Sequence, residues 1–526
     1  MRNISSSISG LLFLCLTTLI LSTHLAWSQS VKDDQKKVIN QEVKDEHGAI
    51  GNVTSTANSQ HTNHPDAQWF PDAGLGLFLH WDQASTVAMG IGWSMIPGRP
   101  LGIKRITDSQ ELARIVRESD YNLDNKKWPI TPNEYWALTK DFHPDDYHPE
   151  LWLKKAKEAG FTYVVFTTKH HSGFALWPSA YGNFSTKNTM GGRDLVKEFV
   201  HGARAAGLKV GLYLSGPDWY FDRDYFNFLY HGASKMNPEL PSLDADLKPR
   251  TNTHSPEEMK AHYLAYAAMV RGQVEELLTN YGKIDLLWFD GKPSIPSEYN
   301  PPISLDRIHQ LQPGIVVNGR MHGKSDFITP ERVLPDDLRL KSDEWGEYCL
   351  PWNHWSYTTR PFIPFNRVLT ELVRGRNAGV NCLFGFGPMP GGNIAPQAYE
   401  YMEKLITWMK INSEAIYGTR ALQGEEKASV LASAKGLVRY LYIGIDEVNN
   451  ANKSNNADLK NREPLHITFT GLQGNYSARL LGDSRHFAVN TNGNTLTVEI
   501  PADALGQGVR VLKLTPKLRE SSVIDE

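Results

Sequence analysis

From about residue 69 to residue 410, short apolar runs alternate with amphipathic helical patterns, and no other feature of the chain constrains the fold as strongly. The apolar runs, whose lengths are typical of buried strands, include LGLFLHW, FTYVVFTTKHH, LKVGLYLS, KIDLLWFDG and GIVVNGR. The helical patterns between them include PELWLKKAKEAG and DLVKEFVHGARAAG. Strands that alternate with helices predict a parallel sheet, since parallel neighbours need crossover connections. We therefore expect an α/β domain over residues 67–412 that forms a (β/α)8-like barrel.

The pattern changes after about residue 417. Short strands with alternating apolar residues follow one another here, separated by Gly, Asn and Asp turns; they include GLVRYLYIGI, LHITFTG, NTLTVEIP and VRVLKLT. This spacing is typical of an antiparallel sheet with one buried face. The sequence predicts a C-terminal β-sandwich domain over residues 413–520.

The N-terminus has the pattern of a targeting segment. Arg2 precedes the apolar run LLFLCLTTLILS, which is too short to span a bilayer comfortably, and small residues at Ala26 and Ser28 suit a cleavage site. We expect residues 1–28 to be a cleavable signal peptide and the protein to be secreted or periplasmic, with no membrane association after cleavage. Residues 29–66 are polar and lack apolar periodicity, which predicts a flexible linker.

Composition and motifs exclude several classes of function. The net charge of −3 gives no electrostatic footprint for nucleic acid. No GxGxxG motif follows a strand, and no P-loop occurs, so a nucleotide site is not expected. Outside the signal segment the cysteines are Cys349 and Cys382, which could pair but which a core of this size does not need. Without a Cys cluster or an HxxxH pair, we predict no metal and no cofactor.

Candidate functional residues follow the apolar runs. In a parallel barrel the active site forms at the carboxyl ends of the strands. Asp290 is the most informative of them, because it leaves the aromatic strand LLWF and precedes a glycine, which suits an ionised nucleophile held by donors. A turn aspartate that caps the next element is the competing interpretation. The polar residues at predicted strand ends are His80, His170, His171, Tyr213, Asp218, Asp290 and Arg320.

Adjacent histidines at one strand end favour hydrogen bonding to ligand hydroxyls. Neighbouring strand residues point to opposite faces, so His170 and His171 should chelate one metal ion poorly. Buried histidines with a purely structural role are the alternative. Tryptophans cluster near the same strand ends and in the loops after them, Trp93 among them. Aromatic faces stack on the apolar faces of sugars, so the pattern favours a carbohydrate over a phosphorylated ligand.

A glycosidase needs a second carboxylate besides the nucleophile. The sequence offers Glu331 in SDFITPERV, and Glu344 or Glu347 in SDEWGEYC. Thr329-Pro330-Glu331 is also typical of a helix start, with Pro in the first position. The aromatic surroundings of Glu347 could raise its pKa towards the range of a general acid.

Taken together, the segments resemble the α-L-fucosidases of glycoside hydrolase family 29. The resemblance rests on LGLFLHW, VVFTTKHHSGFALWPS, GGRDLV, GLKVGLYLS, DLLWFDG, VVNGR and GFGPMPGGNI, from about residue 69 to 410. It implies a retaining exo-glycosidase that releases terminal α-L-fucose from a fucosylated oligosaccharide or polysaccharide, without a cofactor. It further implies that Asp290 is the nucleophile and that Glu331, with Glu347 in reserve, is the acid/base. The sugar-binding residues it implies are His80, Trp93, His170, His171, Tyr213 and Arg320.

Several loops depart from the family pattern. The usual HWG is His80-Trp81-Asp82 here, which adds a carboxylate beside the pocket, and the loop GIGWSMIPGRP and the segment PMPGG also differ. Such loops set substrate range. They leave three alternatives open: an α-L-galactosidase, a fucosidase specific for sulfated fucans, and a catalytically inactive fucose-binding protein. The oligomeric state is not predicted.

Overall fold

The computed structural model describes residues 60–97, 130–231, 234, 238–323, 325–445, 463–506 and 508–517. The predicted signal peptide, residues 1–28, and residues 29–59 of the predicted linker lie outside these ranges. Within the described ranges, no helix combines the length and apolarity needed to cross a membrane.

Seven parallel strands form one curled sheet in the order β5-β4-β3-β2-β1-β7-β6. Residues 327–331, the closing segment, complete the ring through parallel bridges from Asn318 to Phe327, from Ile328 to Gly346 and from Glu331 to Cys349. The predicted (β/α)8-like barrel is confirmed, and the closing segment occupies the position of the eighth strand. The strands are β1 Leu75–Leu79, β2 Tyr163–Lys169, β3 Lys209–Ser215, β4 Leu286–Asp290, β5 Val316–Val317, β6 Glu347–Pro351 and β7 Asn381–Phe386.

Helices connect most of these strands and cover the outside of the ring. Their ends carry capping groups: the Asp194 side chain accepts from the Lys197 N–H, and Ser255 forms a capping box with Glu258. The helices of the barrel domain are α1 Pro132–Ala137, α2 Pro149–Glu158, α3 Thr186–Thr189, α4 Leu195–Ala205, α5 Pro256–Thr279, α6 Leu305–Leu311, α7 Phe365–Ala378 and α8 Pro396–Asn412.

The barrel is buried on both faces, as a parallel sheet requires. Outside the ring, Phe166 of β2 stacks on Phe199 of α4 with ring centroids 4.6 Å apart. Inside the ring, Tyr163, Tyr213 and Trp288 belong to one aromatic cluster. Gly76 in β1 makes room for this cluster, because a Cβ there would lie 2.2 Å from the Tyr163 ring.

The C-terminal part forms two antiparallel sheets that enclose an apolar core, which confirms the predicted β-sandwich. It contacts the barrel directly, since the indole of Trp408 in α8 donates to the Val509 carbonyl. A short helix, α9 Ala502–Leu505, precedes the last strand. The strands are β8 Lys427–Ala428, β9 Leu431–Lys435, β10 Val438–Ile443, β11 Leu465–Thr470, β12 Tyr476–Leu480, β13 His486–Phe487, β14 Val489–Asn492, β15 Thr495–Ile500 and β16 Arg510–Pro516.

The segment at 60–66 differs from the sequence prediction. The Thr62 N–H donates to the Asp326 carboxylate at 2.6 Å, and His61 stacks on Trp345 with centroids 4.1 Å apart. These contacts fix the segment against the barrel, so residues 60–66 do not form part of the flexible linker predicted for residues 29–66. Hydrophobic periodicity could not reveal this, because the contacts are polar or involve a single ring. Cys349 and Cys382 are both buried free thiols.

Candidate active site

A small cavity lies at the carboxyl ends of the barrel strands. Its lining residues come from six separate parts of the chain and include most of the residues that the sequence singles out. The structure therefore supports the rule that polar residues at the ends of parallel strands converge. The lining residues are Phe78, His80, Trp93, His170, His171, Trp288, Asp290, Glu331, Cys349 and Trp355.

Asp290, the last residue of β4, is held by two donors. Its Oδ1 accepts from Nη1 of Arg320 at 2.9 Å, and its Oδ2 accepts from the Tyr213 hydroxyl at 2.6 Å. The Nε2 atom of His171 lies 3.5 Å from Oδ2. A guanidinium and a phenol hydroxyl stabilise the ionised carboxylate, while 8 % of the residue remains exposed to the cavity. This arrangement suits a nucleophile, and the aspartate does not act as a turn cap.

Arg320 connects two carboxylates. Its second terminal nitrogen, Nη2, donates to Oε2 of Glu331 at 2.8 Å, and its guanidinium lies 4.4 Å from the centroid of the Trp288 ring. Burial alone would lower the pKa of Arg320, but Glu331 and Asp290 together raise it above its usual range, so the side chain stays charged. Carboxylates bound to the two ends of one guanidinium are close together. In glycosidases the shorter of the two carboxylate spacings, about 5–5.5 Å, is the one that retaining enzymes use.

Tyr213 and Arg320 were predicted to contact the sugar, and that contact stays a prediction. Neither lines the cavity, and the Arg320 side chain is completely buried. Both hold Asp290 from behind. Position at a strand end marks such residues but does not separate a residue that faces the ligand from one that supports a neighbour.

Glu331 lies in the closing segment. Its backbone is extended and bridged to Cys349 of β6, so the interpretation of Thr329-Pro330-Glu331 as a helix start is wrong. Pro330 fits at this position because its carbonyl accepts from the Cys349 N–H and no N–H is required of it. The Glu331 side chain is 12 % exposed, towards the cavity.

The paired histidines both reach the cavity. Strand β2 ends at Lys169, and the chain turns directly after it, so the expectation that His170 and His171 face opposite sides is wrong. The Ser215 hydroxyl donates to the Pro217 carbonyl, which leaves Nδ1 of His171 to donate to Ser215. In the neutral ring, Nε2 of His171 is then an acceptor for a sugar hydroxyl.

The charges around Asp290 disfavour the binding of a metal ion in this cavity. Ligand atoms of His170, His171 and Asp290 lie within 4.8 Å of one another, a geometry that the sequence did not predict. The Asp290 carboxylate, however, already binds the Arg320 cation, which repels a second cation. Burial lowers the pKa of the nearby His80 to about 3, so its imidazole stays neutral at working pH and suits hydrogen bonding to a sugar hydroxyl.

Aromatic side chains form the cavity walls. Trp93 contacts His171 edge to face at 5.5 Å, and Trp355 lies 5.1 Å from His80. The sequence placed Trp355 only within a general cluster and missed Phe78 and Cys349. Alternation could have found Phe78, because residues two apart in a strand share a face and His80 follows it.

Glu347, the reserve candidate for the acid/base, lies outside the site. It is the first residue of β6, it is completely buried, and it does not line the cavity. Its carboxylate accepts from the Tyr163 hydroxyl and, at 2.8 Å, from the Trp288 indole. Burial raises the pKa of Glu347 to about 7. The raised pKa predicted from its aromatic surroundings is therefore present, but the side chain supports the barrel interior beneath Trp288.

Replacing Glu347 with glutamine should change how stability depends on pH. The pKa of the carboxyl rises from 4.5 to about 7 on folding, so its contribution to stability is fully present below pH 4.5 and is lost as the pH rises to about 7. We expect Glu347→Gln to remove this loss, about 3 kcal/mol across that window. Urea unfolding at pH 4.5, 6 and 8 measures it, with the partly exposed Glu344→Gln as the control. Identical pH dependence in the wild type and Glu347→Gln would contradict the assignment.

A larger cavity of about 1020 Å³ lies between α7 and the β-sandwich. Most of the charged side chains that line it already form ion pairs, such as Arg374 with Asp336 at 2.5 Å. It lacks the convergence of carboxylates, histidines and indoles that marks the cavity at the strand ends. The smaller cavity is therefore the candidate active site.

Comparison with known proteins identifies the family of the chain. A model of the α-L-fucosidase family matches residues 42–414, well over half of the chain. The chain belongs to the α-L-fucosidase family. The resemblance to glycoside hydrolase family 29 is thereby confirmed, and with it the prediction that the protein is a glycoside hydrolase.

Named relatives agree with this assignment. The tissue α-L-fucosidase of Macaca fascicularis is 27 % identical over 410 residues, which span 72 % of this chain and 75 % of that protein. Isoenzyme 1 of α-L-fucosidase from Paenibacillus thiaminolyticus is 28 % identical, with a TM-score of 0.64 over 86 % of this chain and 99 % of that chain. A Bacteroides thetaiotaomicron α-L-fucosidase, solved as a trapped covalent intermediate, has a TM-score of 0.65 over 87 % of this chain and 98 % of that chain. At 22 % identity, it bears on the fold alone.

Proposed function

We propose that the chain hydrolyses terminal α-L-fucosyl linkages with retention, with Asp290 as nucleophile and Glu331 as acid/base. The observation that carries this assignment is the single guanidinium of Arg320, which binds both carboxylates at 2.9 and 2.8 Å. A covalent route needs two carboxylates about 5–5.5 Å apart, and a shared guanidinium supports a spacing of this kind. Membership of the α-L-fucosidase family supports L-fucose as the sugar.

In the first step, a carboxylate oxygen of Asp290 attacks the anomeric carbon while the bond to the leaving oxygen breaks. Glu331, protonated, gives its proton to that oxygen, and the aglycone leaves as an alcohol. In the second step, Glu331 as carboxylate takes a proton from water, and the water oxygen displaces Asp290 from the anomeric carbon. Two inversions give net retention, and Glu331 ends protonated for the next cycle.

Arg320 contacts both reacting carboxylates. In the free enzyme its guanidinium donates to Asp290 and to Glu331. Once Asp290 is esterified it no longer carries charge, and Glu331 is the remaining charged partner of the guanidinium. One cation therefore holds both carboxylates in place through the two steps.

The cavity shape supports attack on chain ends. Its lining includes Trp93, Trp355, Phe78 and Trp288, and the Phe78 and Trp288 rings lie 5.0 Å apart. A small pocket lined by aromatic rings suits a terminal sugar better than the middle of a polymer. This supports exo-hydrolysis of fucosylated oligosaccharides or polysaccharides.

The stereochemistry of the first product tests this proposal. The chain is incubated with an aryl α-L-fucoside, and the released L-fucose is followed by proton NMR before mutarotation. We expect the α-anomer first. A first-formed β-anomer would contradict the covalent route. An aryl α-L-galactoside, which carries a hydroxyl on C6, is assayed in parallel; preference for it would overturn fucose as the substrate.

We also propose that residues 1–28 direct export and are removed, so that the mature enzyme is secreted or periplasmic. The support is the n-region with Arg2, the apolar run at 11–22 and the small residues Ala26 and Ser28. The N-terminal peptide of the protein from an expressing bacterium, identified by mass spectrometry in each cell fraction, checks this. We expect Gln29 as the first residue outside the cytoplasm, and an intact Met1 in the cytoplasm would contradict it.

A further inference from the structure

One buried carboxylate ties together three segments that line the candidate active site. Asp82 is 1 % exposed and follows His80 by two residues. Its Oδ2 accepts from the Tyr135 hydroxyl at 2.7 Å and from the Ser172 hydroxyl at 3.0 Å. Ser172 directly follows the His170–His171 pair. The carboxylate therefore links the segment after β1 to the segment after β2.

Tyr135 extends the network to a third segment. Its hydroxyl, besides donating to Asp82, accepts from the Gly92 N–H at 2.8 Å. Trp93, which lines the cavity, is the next residue. Tyr135 lies in α1 and is itself completely buried. A single phenol oxygen thus joins Asp82 to the backbone that carries Trp93.

The Gly92 backbone leaves little freedom at this junction. Its φ is +62°, and a Cβ there would lie 2.8 Å from Nδ1 of His170. The residue that Tyr135 holds is therefore packed directly against one of the cavity histidines. A shift of this backbone would move Trp93 and His170 together.

Burial of this carboxylate is costly, which argues against a purely incidental role. The donors to its two oxygens are the hydroxyls of Tyr135 and Ser172 and the Ala84 N–H, all of them neutral. Burial raises the pKa of Asp82 to about 6 despite these bonds. Buried acids with perturbed pKa values concentrate at functional sites.

We infer that Asp82 and Tyr135 are positioning residues, which set the Trp93 wall of the sugar site through the Gly92 N–H. Neither residue lines the cavity, so both act through the segments they hold. The inference rests on the proposed function, because it takes the bound group to be the terminal fucose.

Tyr135→Phe is the most direct test, because it removes the shared hydroxyl and keeps the ring. A wall that contacts the sugar equally before and during reaction contributes uniform binding, so its displacement raises KM and spares kcat. We expect KM for an aryl α-L-fucoside to rise roughly 5- to 20-fold, with kcat within about threefold of the wild type. Trp93→Ala should give the same pattern. The double variant should add little to Trp93→Ala alone, since both changes disable one wall.

Tyr442→Phe is the matched control. Tyr442 is 1 % exposed, and its hydroxyl donates to the Ala415 carbonyl at 2.8 Å, remote from the cavity. The Tyr442→Phe variant should have a lower melting temperature than the wild type and an unchanged KM. If Tyr135→Phe does not fold, Asp82→Asn is the second variant, because it alters the same hydrogen-bond network beside Trp93. It should raise KM in the same way.

The dissociation constant for L-fucose, measured by calorimetry, separates this inference from the proposed function. A wild type that binds L-fucose without turnover would refute the hydrolase and still allow the comparison, with weaker binding expected in Tyr135→Phe. Equal L-fucose binding and KM in the wild type and Tyr135→Phe would overturn the inference. A fall in kcat alone, a KM change matched by Tyr442→Phe, or fully multiplicative effects with Trp93→Ala would also overturn it.

Discussion

Replacement of Asp290 with alanine is expected to lower kcat for an aryl α-L-fucoside by about a thousandfold or more. The carboxylate is the group that Arg320 and Tyr213 hold at the cavity, and without it no covalent intermediate forms. L-Fucose binding should persist, because the histidines and indoles of the cavity remain. Initial rates and L-fucose calorimetry on the same preparations measure both quantities.

Asp285→Asn provides the control for this variant. Asp285 lies just before the other end of β4, is 6 % exposed and pairs with Lys209 at 3.1 Å. Its loss should affect stability more than turnover. Added azide supplies a further check, since in Asp290→Gly it can attack the anomeric carbon from the vacated side and give the β-azide. Unchanged turnover in Asp290→Ala would show that another group is the nucleophile.

The second large loss of activity is expected for Glu331→Gln, and its size should depend on the leaving group. A general acid contributes about 10²–10⁴-fold when the departing alcohol is poor, and far less for an acidic phenol. Glu331→Gln should therefore lose most activity on fucosyl oligosaccharides and least on a nitrophenyl fucoside. Rates across a series of aryl fucosides of graded phenol acidity measure this dependence.

Glu347→Gln is the matched comparison, because both glutamates were candidates and only Glu331 lines the cavity. Its rates should show the same leaving-group dependence as the wild type. Azide should rescue Glu331→Gln with retention, by attack on the glycosyl-enzyme in place of activated water. A steep leaving-group dependence in Glu347→Gln, or its absence in Glu331→Gln, would reverse the assignment.

The sequence predicted the barrel and the nucleophile for the same physical reason. Parallel strands need crossover helices, and their carboxyl ends meet at one edge, so polar residues after apolar runs mark the site. Asp290, His80 and the histidine pair emerge from this rule, and the structure brings them to one cavity. Family resemblance added the sugar, which position alone does not reveal.

The choice between the two glutamates could not be predicted from pattern. The closing segment has neither strand alternation nor a helical period, and its extended form depends on bridges to β6 far along the chain. Glu347 has the aromatic surroundings expected of an acid, but these belong to the layer below the cavity. Depth within the barrel depends on strand register, which local sequence does not set.

The roles of Asp82, Tyr213 and Arg320 were hidden for a related reason. Each is placed by contacts to residues distant in sequence, such as the bond from Tyr135 to Asp82. The sequence marks Asp82 as a carboxylate beside the pocket but not as a link between segments. Side-chain networks of this kind become visible only once the elements are assembled.

Trapping the intermediate tests the central claim most directly. In 2-fluoro-fucosyl fluoride, the 2-fluoro group slows both steps, while the reactive fluoride leaving group still permits the first. We expect one fluorofucosyl adduct on the wild type, mapped by peptide mass spectrometry to Asp290, and none on Asp290→Ala. Continued turnover without an adduct, or an adduct on another carboxylate, would contradict the mechanism.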